Sequence, residues 1–186
     1  MENSYPLALV EHGVRDKLPN RHSQKFAEDQ KEVCLKYKGD EALACWINMG
    51  ETYQVFYNNP QKVYEACFDA PTKEQGTECF LKSASGFAIK SNYSTAFKLR
   101  SVCEFVEDKA LFEKCVIRMI SSLLYYSPDF IDRGVLLCSN TNMWFKDSCF
   151  KELNTRLRTV IPDFNQRRRY CKTIPENYID LCLEKS

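Results

Sequence analysis

The sequence predicts an all-α fold of about ten helices, arranged as five antiparallel hairpins with one disulfide in each. Three observations support this. First, the ten cysteines fall into five pairs: Cys34 and Cys45, Cys67 and Cys79, Cys103 and Cys115, Cys138 and Cys149, Cys171 and Cys182. The separations within pairs are 11, 12, 12, 11 and 11 residues, and the first cysteines follow one another at intervals of 33, 36, 35 and 33. A period of roughly 34 residues marks a repeat architecture. Second, the residue after each second cysteine is apolar (Trp46, Phe80, Val116, Phe150, Leu183), as is the residue eight after it in four units (Tyr53, Phe87, Leu123, Leu157). Positions seven apart lie nearly two turns along a helix and share a face. Third, strand signals are poor: alternation of period two is short, and β-turn dipeptides are few.

The elements follow in order. Residues 1–22 carry no cysteine. Within them, "LALVEHGVRDKL" places Leu7, Val10, Val14 and Leu18 at helical spacing. This suits a helix capping the first hairpin, or an arm that binds a partner, although Gly13, Pro6 and Pro19 weaken it. The first unit, about 23–57, breaks at Lys38-Gly39-Asp40. The second, 58–90, opens at Asn58-Asn59-Pro60 and breaks at Ala70-Pro71-Thr72. The third, 91–126, opens at Ser91-Asn92; its pair "CEFVEDKALFEKC" has no Gly or Pro, and only Asp108 offers an N-cap. The fourth, 127–160, opens at Ser127-Pro128-Asp129 and breaks at Ser139-Asn140-Thr141. The fifth, 161–186, opens at Ile161-Pro162-Asp163 and breaks at Ile174-Pro175-Glu176. These breaks consist of residues that stop and start helices, and Pro suits a first turn. The pattern allows either a short α-solenoid or a closed bundle.

Cysteines on either side of such a break face each other near the closed end of a hairpin. A bond there closes a loop of about 11 residues and stabilises by roughly 3 kcal/mol in the chain-entropy model. Stacked hairpins touch only their neighbours, so a staple compensates for the small core of each unit. Pairing between units, as of Cys45 with Cys67, is the competing connectivity.

Ten cysteines in 186 residues point to an oxidising compartment, with the protein secreted or periplasmic and its leader absent from this chain. The alternative is a cytosolic protein with ten free thiols. No apolar run approaches the roughly 20 residues of a membrane span. The net charge of +1 gives no general pull toward nucleic acid. No two cysteines lie closer than 11 residues, which excludes the usual zinc, iron–sulfur and covalent haem motifs; no cofactor or metal is expected. The two histidines, His12 and His22, precede the first repeat, so a Cys–His nucleophile is not indicated.

The ruler resembles two cysteine-stapled architectures: the twin-cysteine helical hairpins of the mitochondrial intermembrane space, and cysteine-rich repeats of helix pairs with one disulfide each. The first uses two bonds per hairpin at a different spacing. The second places Gly and Ala at set contact columns, which hold Trp, Phe, Val and Leu here. The resemblance covers residues 24–186, concerns architecture, and carries over no functional residue.

The expected function is that of an extracytoplasmic, non-enzymatic interaction module binding another protein or a surface glycan, one subtype being an inhibitor. The expected surface combines Arg156, Arg158, Arg167, Arg168 and Arg169 as an exposed basic docking patch with the aromatics Tyr57, Tyr125, Tyr126 and Trp144. Arg suits carboxylates and sulfates through its bidentate fork, and Tyr, Trp and Arg dominate interface hot spots. The alternatives are a lipid or small-molecule carrier with a helical cavity, and a hydrolase built on carboxylates from adjacent repeats. Asn92-Tyr93-Ser94 matches the N-glycosylation acceptor.

Overall fold

The computed structural model of the chain describes residues 24–184; the expected capping segment 1–22 lies outside them. Among these described residues ten α-helices run in order: α1 (Gln24–Cys34), α2 (Gly39–Tyr57), α3 (Pro60–Cys67), α4 (Lys73–Ile89), α5 (Ala96–Arg100), α6 (Lys109–Tyr126), α7 (Ile131–Ser139), α8 (Met143–Val160), α9 (Phe164–Cys171) and α10 (Glu176–Leu183). Short 3-10 turns precede α5 (Ser91–Tyr93) and α7 (Pro128–Phe130), and no strand occurs among the described residues. The all-α expectation holds.

The punctuation residues act through their side chains. Asn59, Thr72, Thr95, Asp108 and Asp163 each accept a hydrogen bond from a backbone N–H in the first turn of α3, α4, α5, α6 and α9. Each satisfies a donor that the helix itself leaves unpaired. The Leu111 N–H, with Lys73 beside it, holds the Asp108 carboxyl below its usual range. Asn58 ends α2 in the left-handed region at φ 45°, where its N–H bonds to the Gln54 carbonyl.

Five disulfides close within the hairpins: Cys34–Cys45, Cys67–Cys79, Cys103–Cys115, Cys138–Cys149 and Cys171–Cys182, with Cα separations of 5.4, 5.6, 6.1, 5.5 and 5.7 Å. In four units the first cysteine lies at or next to the end of its helix. The third differs: α5 is only five residues long, and Cys103 lies in the turn beyond it. The cluster Ser91-Asn92-Tyr93-Ser94-Thr95 goes to a 3-10 turn and a cap, which leaves little chain for the helix.

The second helices form a row. α2 packs on α4, α4 on α6, α6 on α8 and α8 on α10, while α1, α3, α7 and α9 lie against the second helices of their own units. One apolar core runs along the row. Trp46, Phe80, Val116 and Phe150 are buried, as are Tyr53, Phe87, Leu123 and Leu157, so the two recurring columns are the inward face of the row. Leu183, on the last helix, is only half-buried. Inter-unit ion pairs such as Lys82–Glu51 (2.8 Å) and Arg118–Glu78 (3.0 Å) lie on the solvent side, where such pairs contribute little.

The approach of α2 to α4 depends on Gly50. A Cβ there would overlap the Cys79 carbonyl oxygen, a backbone atom that cannot step aside. Gly50→Ala is expected to cost about 2 kcal/mol by forcing the two helices apart. Gly39→Ala meets no atom and carries only the strain of its φ of +55°, about 1 kcal/mol. Chemical denaturation of both variants checks this; equal losses would show that the close approach contributes nothing.

Candidate partner-binding surface

The last turn of α6 buries Leu123 and Leu124 and thereby turns Tyr125 and Tyr126 outward, 60% and 67% exposed. These rings are held in place. Tyr126 stacks on Phe130 with centroids 5.4 Å apart and planes 12° apart. The Arg133 guanidinium covers Phe130 at 4.3 Å. Arg133 also donates to the carbonyls of Ala88, Ile89 and Lys90 at 3.2, 3.4 and 3.3 Å, closing the C-terminal end of α4. The favourable dipole of a helix C-terminus thus anchors the stack. The neighbouring Tyr170 hydroxyl donates to Asp129 at 3.0 Å, tying α9 to the turn that carries Phe130. This bond pushes the Tyr170 phenol above its ordinary range.

The five arginines have separate roles. Arg156 donates to Glu152 at 2.6 Å and lies beside Tyr125; the carboxylate raises the guanidinium pKa. Arg158 pairs with Glu184 at 2.9 Å. Arg167 corrects the sequence reading: it is 1% exposed and cannot belong to a docking patch. Its guanidinium donates to the carbonyls of Ile161 (3.0 Å), Pro162 (3.1 Å), Cys182 (3.2 Å) and Glu184 (2.9 Å). It joins the end of α8 to the end of α10, where the chain presents unpaired carbonyls and partial negative charge. Arg168 and Arg169 are exposed, and no ion pair among the described residues engages them.

The predicted aromatics do not form one surface. Tyr125 and Tyr126 adjoin the α9 side of the molecule through Asp129 and Tyr170. Trp144, 46% exposed, packs on Phe112 at 5.8 Å with the Lys109 ammonium 5.4 Å from its ring centre. Phe112 lies about 20 Å along α6 from Tyr126. Tyr57 is half-buried against Tyr53 and Phe56, in a cleft with Gln24, Lys31, Ala66 and Asp69. Phe130, Arg133 and Asp129 were missed; Phe130 and Arg133 stand three apart, a helical neighbour spacing that signals such a pair. Met143 and Phe97 are also largely exposed and were not singled out.

Asn92 and Ser94 are exposed, and Tyr93 between them packs on Phe87 at 5.0 Å. A crevice lined by Arg100, Cys103, Phe112 and Thr141 holds about 30 Å³, room for one water. Wider clefts of about 180 and 490 Å³ lie open to solvent. Among the described residues no group of three His, Cys, Asp or Glu side chains is placed to hold a metal, and no helix is long and apolar enough to cross a membrane.

No protein-family model, curated protein or solved structure matches the chain.

Proposed function

We propose that the protein is a non-enzymatic interaction module of an oxidising, extracytoplasmic compartment, and that it binds another protein through the end of α6 and the adjoining side of α9. The observation that carries this reading is the stack of Tyr126 on Phe130 under Arg133. It holds a largely exposed ring in one orientation, and a pre-ordered side chain loses little freedom on binding. Arg168 and Arg169 add positive charge nearby, which steers an acidic partner. The five disulfides support the compartment. A carrier of lipids or drug-sized ligands needs an enclosed apolar volume of about 300 Å³ or more. The crevice of about 30 Å³ and the open clefts support that reading less.

The test is capture from the protein's own compartment with oxidised wild type, Tyr125→Ala/Tyr126→Ala and Arg168→Glu/Arg169→Glu. The tyrosine variant is expected to lose the captured partner while melting as wild type does. The charge variant is expected to associate more slowly, most markedly at low salt. Equal capture by all three proteins would remove this surface from the proposal, and a retained lipid in native mass spectrometry would favour the carrier.

A further inference from the structure

Of the eleven asparagines in the chain, only Asn92 begins an Asn-x-Ser/Thr triplet, and its middle residue is not proline. The triplet Asn92-Tyr93-Ser94 falls on the 3-10 turn Ser91–Tyr93 and the residue after it, at the junction of the second and third units. Tyr93 is 8% exposed and packs on Phe87 at 5.0 Å. Asn92 and Ser94, on either side of it, are exposed. The buried ring thus pins the middle of the triplet and leaves its two chemically relevant side chains in water.

Neither of those side chains is used by the fold. Asparagine and serine in a turn ordinarily bond back to nearby backbone. Asn59 caps α3, Asn140 donates to the Leu136 carbonyl at 2.8 Å, and Asn154 donates to the Tyr178 carbonyl at 3.2 Å. The Asn92 amide and the Ser94 hydroxyl have no hydrogen-bond partner among the described residues, and the capping of α5 falls to Thr95.

The surroundings suit a bulky group at this point. The base of the turn is fixed: Arg133 donates to the carbonyls of Ala88, Ile89 and Lys90, and the Tyr93 N–H donates to the Lys90 carbonyl at 3.1 Å. Beyond the turn, α5 packs on α7 and on the turn itself, outside the row of second helices. A group attached to Asn92 therefore displaces no contact of that row. A segment with one short helix also opens locally at low cost, so a modifying enzyme can bind the triplet in extended form. Phe97, on α5, is 76% exposed, and a hydrated glycan on the adjoining turn is solubilising.

We propose that Asn92 is an N-glycosylation site, with Ser94 as the hydroxyl that the transferase recognises. It rests on the extracytoplasmic reading given above. The donor is an oligosaccharide on a polyprenyl pyrophosphate. The Asn92 amide nitrogen forms a bond to the anomeric carbon, and the bond from that carbon to the pyrophosphate oxygen breaks. The amide gives up one proton, the polyprenyl pyrophosphate leaves with the electron pair, and nothing is oxidised or reduced.

The experiment uses the full-length protein isolated from its own compartment, with thiols labelled before digestion. The Asn92 peptide is expected to carry a hexosamine-containing glycan. Peptide N-glycosidase should remove it, leaving aspartate at position 92 and raising the gel mobility of the protein. Asn92→Gln and Ser94→Ala are each expected to abolish the modification and to melt as wild type does, whereas Ser94→Thr keeps a hydroxyl and should retain it. Unmodified Asn92 as the main species, in a sample without free thiols, would overturn this proposal and leave the compartment standing. Unmodified Asn92 together with ten labelled thiols would overturn both. A glycan that persists in Ser94→Ala would also overturn the assignment.

Discussion

Reduction of the five disulfides is expected to unfold this protein at ordinary temperature. Each bond closes a loop of 11 or 12 residues and is worth roughly 3 kcal/mol by chain entropy. The five values do not simply add, but even half their sum is comparable with the total stability of about 5–15 kcal/mol typical of a domain. The hairpins need the staples because their first helices are short: α3 and α9 have eight residues each, and α5 has five. Isolated helices of fewer than about 12 residues are marginal in water. The measurement is intact mass with circular dichroism. Native protein should label at no thiol, gain about 10 Da on reduction as ten hydrogens add, and then lose most of its helical signal. A fully reduced sample that keeps its helicity and a cooperative melt would remove the staple argument.

Removing Arg167 is expected to be the most damaging single side-chain change in the last unit. Arg167→Ala leaves four carbonyls at the ends of α8 and α10 without their donor. It also opens a cavity where a fully buried side chain lay. Unpaired buried polar groups cost about 1–3 kcal/mol each before relaxation, and water entering the gap will recover part of that. A net loss of about 3–5 kcal/mol is expected, by analogy with broken buried charge pairs, lowering the melting temperature by about 10 °C. Arg167→Glu should be worse, because it sets a carboxylate among carbonyls. Arg168→Glu/Arg169→Glu, on exposed positions, should stay within about 0.5 kcal/mol of wild type. Thermal melts of the three variants decide the matter: an Arg167→Ala protein within about 1 kcal/mol of wild type would show that the four hydrogen bonds are replaceable.

The cysteine ruler, the apolar columns after each second cysteine and the Gly, Pro and Asn breaks were together enough to place the helices. These signals are local or periodic, and periodicity records which side of a helix must leave water. The same reasoning holds for Asp108, the only N-cap available in its loop, which does cap α6. It failed for α5, because the cluster Ser91-Asn92-Tyr93-Ser94-Thr95 goes to a 3-10 turn and a cap, and composition does not say how much of such a cluster a helix will take up.

The site was less legible. The sequence marked Tyr125 and Tyr126 as aromatic and Arg167 as one of three adjacent arginines. Nothing in a run of like residues distinguishes the one that turns inward. Arg167 was decided by the ends of α8 and α10 meeting over it, with carbonyls up to 17 residues away in the chain supplying its partners. Tyr126 gained its fixed orientation from Phe130 and, through Arg133, from carbonyls at the C-terminal end of α4 that lie 43 to 45 residues before that arginine. The sequence by itself determined the helices and the repeat, because burial and hydrogen bonding within a helix depend on near neighbours. The tertiary structure alone decided which charges are solvated and which aromatics are anchored, because those outcomes depend on groups brought together only when the units stack.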